Sequence, residues 1–148
     1  MALFDFFSAK SLEDAVQRNS IRSARRLLEK GVPQAKLNEC VILAVHSGVE
    51  MIELLLEYGA DLNHQHSEGG KTPLHIAARF GYVDVARFLL QHGARIDIAD
   101  SNGETPLAAT LQSPHEAMSL ALGLRPTHHD ENESARRKQI ARLIKECE

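Results

Sequence analysis

The sequence contains no tryptophan, and aromatic residues of all kinds make up only 5% of its 148 positions. A hydrophobic core must therefore be built from Leu, Ile, Val and Ala side chains. Cysteine is also scarce: the chain has only two cysteines, Cys40 and Cys147, and they do not form a Cys-x-x-Cys pair. This pattern argues against a disulfide framework or a zinc knuckle and is typical of a protein in a reducing compartment.

Long apolar runs and a strong net charge are missing as well. The longest apolar run, 40–45, is too short to span a bilayer. The N-terminal segment MALFDFFSAK has no basic region and Asp5 interrupts its apolar residues, so we expect no signal peptide. A net charge of −3 gives no electrostatic reason for a nucleic-acid or membrane partner. We therefore expect one domain of ordinary size in a cytoplasmic protein.

What the sequence does contain is a repeated start. TPLHIAARFG begins at Thr72 and TPLAATLQSP begins at Thr105, which is 105 − 72 = 33 residues later. A threonine hydroxyl can accept a hydrogen bond from an unpaired N–H at the beginning of a helix, and proline suits the first helical position. Leu74 and two alanines then share one apolar face, and Gly81 is typical of a helix end.

A second helical pattern follows directly in YVDVARFLLQHG, residues 82–93. Its apolar residues recur with helical spacing, and the loop after it contains Asn102-Gly103, a turn signal. The repeated unit is therefore a helix, a turn, a second helix and a hairpin-like loop.

The same unit can be traced towards the N-terminus. CVILAVHSG (40–48) aligns with the first helix, and EMIELLLEYGADLN (50–63) aligns with the second helix and its exit. Further upstream, NSIRSARRLLEKG (19–31) matches the second helix again, and KSLEDAVQR (10–18) supplies a shortened first helix. Four units therefore fill nearly the whole chain.

This period and these residues resemble the ankyrin repeat, most strongly over residues 37–113. One such repeat cannot bury its own apolar face, so several copies stack and share a core. The resemblance implies an all-α ankyrin-repeat solenoid of stacked helix-turn-helix units with short β-hairpin loops, in a single domain over 1–148. We expect about four repeats, of which the first and last are degenerate, with approximate boundaries 8–36, 37–69, 70–102 and 103–148.

The N-terminal end departs from the repeat pattern. The first unit has no Thr-Pro-Leu-His start, and its hairpin is expected to shorten to a plain loop around Pro33. The segment LFDFF before it either packs over the end of the first repeat as a cap or is an exposed docking tail. An atypical end repeat is expected because one of its faces meets water.

The last unit is more unusual. IARLIK (140–145) copies VARFLL (85–90), which favours an insertion near 115–136 inside the fourth repeat and an outer helix at about 135–147. In the alternative interpretation, 114–124 is the outer helix and the C-terminal helix is an additional cap. The sequence leaves both interpretations open.

No catalytic or cofactor-binding motif is found, so we expect no enzyme and no cofactor. His64 and His66 alternate along one hairpin arm and would supply at most two metal ligands, so no metal site is predicted. The HHDE segment at 128–131 is interpreted as a polar loop. His75 belongs to the repeat start, and the ankyrin resemblance implies that it makes structural hydrogen bonds.

The resemblance implies a non-catalytic protein–protein interaction module that binds another protein through its hairpin tips and the concave inner-helix face. We expect it to be a monomer. One alternative is an adaptor that docks nucleic acid or an anionic membrane through the basic C-terminal helix. A second alternative is a metal-dependent regulator that uses the His-containing insertion.

Phe80 is the large apolar residue among the surface positions, and beside Arg79 it has the composition of an interface anchor. Packing against a neighbouring repeat is the alternative role for this ring. LLEYGADLN also resembles the context of asparagine hydroxylation in some ankyrin-like proteins, which would make Asn63 the acceptor. The repeat register places the candidate partner-binding residues at His46, Ser47, His64, His66, Ser67, Glu68, Lys71, Arg79, Phe80, Ser101, Asn102, Glu104, Gln112 and Ser113.

Overall fold

The structure is a computed structural model that describes residues 11–111 and 128–148, with side chains for 12–111 and 132–148. Within these ranges every regular element is a helix and no strand is formed. The chain divides into two compact units, 1–64 (unit 1) and 65–148 (unit 2). No helix in the described part of the chain has the length and apolar character needed to cross a membrane.

Unit 1 contains four helices, α1 (Ser11–Gln17), α2 (Ile21–Leu28), α3 (Gln34–Ala44) and α4 (Val49–Glu57). α1 and α4 each pack against both α2 and α3. The core between them is aliphatic, and full burial of one such side chain contributes about 1.5–3 kcal/mol. Its largest fully buried side chains include Val16, Val41, Met51, Ile52 and Leu55.

Both helical patterns expected for the first unit are confirmed by α1 and α2, but the boundaries of α3 differ from the expectation. The repeat register placed this helix at 40–48, whereas it begins at Gln34 and ends at Ala44. Pro33 is its N-cap, with an extended ψ of 139°, and the Pro33 carbonyl accepts the Leu37 N–H. Because only five residues, 29–33, connect α2 to α3, the positions that would form a hairpin in a full repeat join the helix instead.

Unit 2 contains α5 (Pro73–Phe80), α6 (Val83–Gln91), α7 (Pro106–Ala109) and α8 (His128–Glu146). α5 packs against α6 and α7, and α8 packs against all three. The largest side chains fully buried in this core are those of Leu74, His75, Leu89, Ile140 and Ile144.

The predicted start and end of α5 are confirmed. Thr72 is extended, and its backbone and side chain form a capping box with His75, which takes the place of the usual Glu or Gln. Pro73 occupies the first turn, where its missing N–H costs nothing. Gly81 ends the helix in the left-handed conformation, with φ 71° and ψ 31°.

α7 is shorter than its counterpart α5, since it ends at Ala109 after four residues. Thr105 caps it weakly, because its hydroxyl oxygen is 3.4 Å from the Ala108 N–H group's nitrogen. The guanidinium of Arg137, which is only 3% exposed, lies 3.5 Å from the Thr110 carbonyl oxygen at the other end of α7. A cation near the last carbonyls of a helix is favourable.

The C-terminal helix also differs from the expectation. It was expected at about 135–147 after a polar loop, whereas α8 begins at His128, so the HHDE segment at 128–131 is helical. The LFDFF segment and the possible helix at 114–124 lie outside the described residues.

Candidate partner-binding surface

Two hairpin tips in unit 2 carry seven of the fourteen predicted binding residues. In the first tip (66–71) the His66 N–H donates to the Lys71 carbonyl at 2.9 Å, and in the second tip (100–104) the Asp100 N–H donates to the Glu104 carbonyl at 2.8 Å. Each tip is therefore closed by a backbone hydrogen bond without a strand ladder. The exposed candidates on these tips are Ser67, Glu68, Ser101 and Asn102, and the half-buried ones are His66, Lys71 and Glu104.

The two tips are joined to each other. The Ser101 N–H donates to the Gly69 carbonyl at 3.0 Å, and the Gln65 side-chain amide donates to the carbonyls of Gly70 and Ala99 at 2.9 and 3.0 Å. A Cβ atom on Gly70, where φ is 62°, would lie 3.0 Å from the Ser101 hydroxyl oxygen. A glycine is therefore needed where the first tip approaches the second, and the exposed side chains of both tips belong to one connected surface.

A buried carboxylate shapes the second tip. One oxygen of Asp100 accepts the backbone N–H groups of Asn102 and Glu104 at 2.9 and 3.0 Å. Burial opposes ionisation of this carboxyl, but the two N–H donors outweigh it and the pKa of Asp100 is lowered. The negative charge is thus held at the base of the tip, where it fixes the turn and leaves Ser101 and Asn102 exposed.

His75 connects the start of α5 to the second tip. Its Nε2 lies 2.8 Å from the Glu104 carbonyl oxygen, and its Nδ1 lies 3.1 Å from the Thr72 backbone nitrogen. A carbonyl only accepts and an N–H only donates, so the ring is neutral with its proton on Nε2. Burial lowers the pKa of His75, which agrees with this state. The structural role expected for His75 is confirmed.

At the opposite end of α5, Phe80 is 38% exposed and stacks on Tyr82, with ring centroids 5.9 Å apart and planes at 16°. Gly81 between them is buried, and a Cβ atom there would lie 3.2 Å from the Cβ of Arg136 on α8. Arg79 is half-buried on the preceding position. The Phe80 ring is therefore supported by the Tyr82 ring and remains partly exposed to solvent.

Three of the predicted residues belong to unit 1. His46 is exposed just after α3, whereas the hydroxyl of Ser47 donates to the carbonyl of Val16 and so has a structural role there. His64 is half-buried, with its Nε2 3.1 Å from a carboxylate oxygen of Glu39 on α3. Of these three, His46 is the one that the structure leaves accessible to a partner.

Comparison with known proteins settles the family. A family model described as ankyrin repeats in three copies matches residues 12–100. The chain belongs to the ankyrin repeat family. Apart from Ser11, the helices α1 to α6 lie within the matched range, and the all-helical ankyrin-repeat fold expected from the sequence is confirmed.

The relatives differ widely in length and name. The chain is similar to human protein phosphatase 1 regulatory subunit 27, with 35% identity over 63% of this chain and 64% of the relative. It is also similar to cyclin-dependent kinase inhibitor 2A of Monodelphis domestica, with 30% identity over 74% of this chain and 66% of the relative. Human 2-5A-dependent ribonuclease is 43% identical over 47% of this chain but only 9% of that protein. The chain thus covers less than two thirds of the length of these relatives.

The ankyrin repeats bring together no group of three His, Cys, Asp or Glu side chains suited to a metal ion, as far as the described residues extend. Cys40 is a buried free thiol whose pKa burial raises to about 11, so it stays protonated and packs as a small apolar group. Cys147 is exposed and also free. Two predicted binding residues, Gln112 and Ser113, lie outside the part of the chain that the structure describes.

The prediction from sequence did not include three residues that shape the candidate surface: Asp100, Tyr82 and Gln65. Asp100 stands two residues before Asn102, and an aspartate at this distance from a turn is a known signal for an N–H-accepting side chain. Tyr82 could have been found from its position across Gly81 from Phe80. Gln65 gives no sequence signal, because its two acceptors are backbone carbonyls brought together only by the packing of the tips.

Proposed function

We propose that this ankyrin repeat chain is a non-catalytic module that binds a partner protein through the joined tips of unit 2 and the exposed end of α5. Ankyrin repeats are in general protein–protein interaction modules, and two relatives are named as a regulatory subunit and an inhibitor of enzymes. The partner is accordingly another protein, and an enzyme that this chain regulates is the partner class that the relatives' names favour.

The observation that carries the proposal is the partly exposed Phe80 ring. It is one of two large apolar side chains left exposed in the described ranges, the other being Leu111. A rigid aromatic flanked by arginine is typical of the few residues that supply most of the binding free energy of an interface. Because Tyr82 fixes the ring in place, little rotamer entropy is lost when a partner covers it.

The proposal can be tested after a partner has been captured from the native host, identified and purified. We expect Phe80→Ala to weaken its affinity at least about tenfold, which corresponds to about 1.4 kcal/mol. The loss of the ring contact with Tyr82 should lower the free energy of unfolding by about 1 kcal/mol, or about 2–4 °C in Tm. Isothermal titration calorimetry and thermal melts measure the two effects.

Arg87→Ala is the matched control, because Arg87 is an exposed arginine on α6 and belongs neither to the tips nor to α5. It should change neither affinity nor Tm. A Phe80→Ala variant that binds as tightly as the unmodified chain would contradict the proposed surface. A large loss of thermal stability in that variant would instead identify Phe80 as a core residue.

A further inference from the structure

The guanidinium of Arg79, in the last turn of α5, is incompletely solvated. Its Nε atom is buried and has no hydrogen-bond partner among the described residues, and the whole side chain is half-buried. Its two terminal nitrogens are not fully buried, and they too form no hydrogen bond within the described chain. Because arginine keeps its proton in proteins, the cation carries a full charge although water reaches only its outer end.

The buried Nε atom separates Arg79 from other cations that lack an ion pair. Exposed arginines such as Arg87 also form none in the described ranges, but solvent surrounds an exposed side chain, so the missing carboxylate costs it little. Arg137 has the other buried Nε without a partner among the described side chains, but its Nη1 lies 3.5 Å from the Thr110 carbonyl oxygen. Arg79 therefore combines partial burial with the absence of any acceptor in the described chain.

We infer that Arg79 binds a carboxylate of the partner protein, directly beside the apolar contact made by Phe80. This inference rests on the function proposed above and adds the chemistry of the recognised segment, which carries an acidic side chain next to an apolar one. The terminal nitrogens of an arginine match the two oxygens of a carboxylate in geometry and charge. Such a pair compensates the charge that the fold leaves partly desolvated.

The position of Arg79 within the surface favours this pair. Arg79 directly precedes Phe80, whose partly exposed ring is stacked on Tyr82. A partner that covers the ring also excludes water from the neighbouring guanidinium, and the attraction between opposite charges increases as the effective dielectric constant falls. Arg79 forms no ion pair with a carboxylate of the described chain, so no such pair has to be broken before the partner binds.

The free chain offers the first test, because an incompletely solvated cation without a counter-ion destabilises a fold. Arg79→Met keeps a long, unbranched side chain with similar helix propensity and removes the charge. We expect its Tm to rise by about 2–4 °C. Arg87→Met is the matched control and should leave Tm unchanged. A Tm of Arg79→Met that is unchanged or lower would make Arg79 a structural residue, held by its attraction to the C-terminus of α5, and would overturn the proposal.

Two blocked tripeptides, acetyl-Leu-Glu-Leu-amide and acetyl-Leu-Gln-Leu-amide, probe the preference for an anion at millimolar concentration. The ¹⁵N resonances of the Arg79 guanidinium, assigned by their absence from Arg79→Met, should move with the glutamate peptide and stay in place with the glutamine peptide. Both peptides should shift the ring protons of Phe80, and neither should shift the guanidinium signals of Arg87. Equal shifts of the Arg79 signals with the two peptides, or no shift with the glutamate peptide, would overturn the proposal.

The purified partner allows a charge swap. Arg79→Met and Arg79→Glu should each weaken its affinity at least about tenfold, whereas Arg87→Glu should not change it. Each acidic residue of the partner's binding segment is then replaced in turn by arginine, and one replacement should restore binding to Arg79→Glu.

The outcomes of the swap separate this inference from the function proposed above. If Arg79→Met and Arg79→Glu bind as tightly as the unmodified chain while Phe80→Ala binds more weakly, the acidic specificity is wrong and the surface stands. Failure of every replacement in the partner to restore binding would also overturn the proposal. Loss of the dependence on Arg79 after phosphatase treatment of the partner would assign the contact to a phosphate and overturn the carboxylate.

Discussion

In both units, the loop after the second helix of a pair is hydrogen-bonded to the first helix of that pair, but the side chains that make these bonds differ. In unit 1, the loop after α4 is held to α3 by side chains: Gln34 donates to the Gly59 carbonyl at 2.8 Å, and Asn38 accepts the Asp61 N–H at 2.9 Å. In unit 2, the loop after α6 is held to α5 by the ring of His75, which donates to the Glu104 carbonyl. Gln34 is exposed and Asn38 half-buried, whereas His75 is 1% exposed.

Each set of hydrogen bonds between loop and helix is called a joint here. The two joints differ in how many side chains share the stabilising free energy. A hydrogen bond that water can replace contributes about 0.5–1.5 kcal/mol net, and its loss leaves no group without a partner. A buried donor or acceptor that loses its partner costs about 1–3 kcal/mol. The joint in unit 1 is therefore a sum of small contributions, while the joint in unit 2 depends on one side chain.

Among the variants that test this comparison, His75→Ala is expected to cause the largest loss in the free energy of unfolding. The substitution removes a buried ring and leaves the Glu104 carbonyl and the Thr72 N–H without their partner. We expect the free energy of unfolding to fall by about 2–4 kcal/mol. Asn38→Ala in unit 1 should cost only about 0.5–1.5 kcal/mol.

Urea denaturation of both variants, with the slope of the transition checked for constancy, measures these losses. Equal losses for the two substitutions would contradict the idea that burial concentrates the stability of the unit 2 joint. A loss for Asn38→Ala larger than that for His75→Ala would reverse the comparison.

A second pair of variants compares two glycines that occupy equivalent positions 33 residues apart, Gly48 and Gly81. Gly48 has φ 115° and ψ 179°, a region that only glycine populates readily, but nothing lies within 4 Å of an added Cβ. Gly81 has the left-handed conformation, and an added Cβ would lie 3.2 Å from the Cβ of Arg136. The first glycine is needed for its backbone, and the second also for the close approach of α8.

We expect Gly48→Ala to cost about 1–3 kcal/mol through backbone strain alone. Gly81→Ala should cost about 1–2 kcal/mol for its backbone and a further amount for contact with Arg136. In a background that carries Arg136→Gly, the cost of Gly81→Ala should fall by about 1 kcal/mol. Urea titrations of the four-member cycle measure this coupling, and a coupling of zero would remove α8 from the explanation.

The parts of the fold that the sequence predicted are those fixed within a few residues. The start and end of α5 depend on Thr72, Pro73, His75 and Gly81, all of which contact or cap neighbours along the chain. The position of α3 was predicted wrongly because the repeat register was carried over from α5, whereas Pro33 starts the helix six residues before that register.

Features that depend on distant packing were not predictable. Burial of Arg137 requires α7 to end beside α8, and the bridge made by Gln65 requires two tips to meet. No local sequence pattern indicates the burial of Arg137 or the hydrogen bonds of Gln65. On the candidate surface, Ser67, Glu68, Ser101 and Asn102 are exposed, as a binding role would require. The register could not indicate that Ser47 donates its hydroxyl hydrogen to the Val16 carbonyl.

The smallest expected effect is on the pH dependence of folding stability, and it again depends on His75. Burial lowers the pKa of this ring in the folded chain, so between its unfolded pKa of about 6.5 and its lower folded pKa the unfolded state binds more protons. Stability must then fall as the pH decreases through that window and show no further contribution from His75 below the folded pKa. The neutral ring is required because Nδ1 faces the Thr72 N–H, which can only donate.

His75→Gln is the sharpest variant for this test, because glutamine at the third helical position also completes a capping box without titrating. Thermal melts from pH 7.5 to pH 5 should show a smaller decrease in Tm for His75→Gln than for the unmodified chain. His64→Gln is the matched control in unit 1, where the ring is half-buried beside Glu39. If His75→Gln reproduces the full pH dependence of the unmodified chain, the buried neutral ring is not what makes the unit 2 joint sensitive to acid.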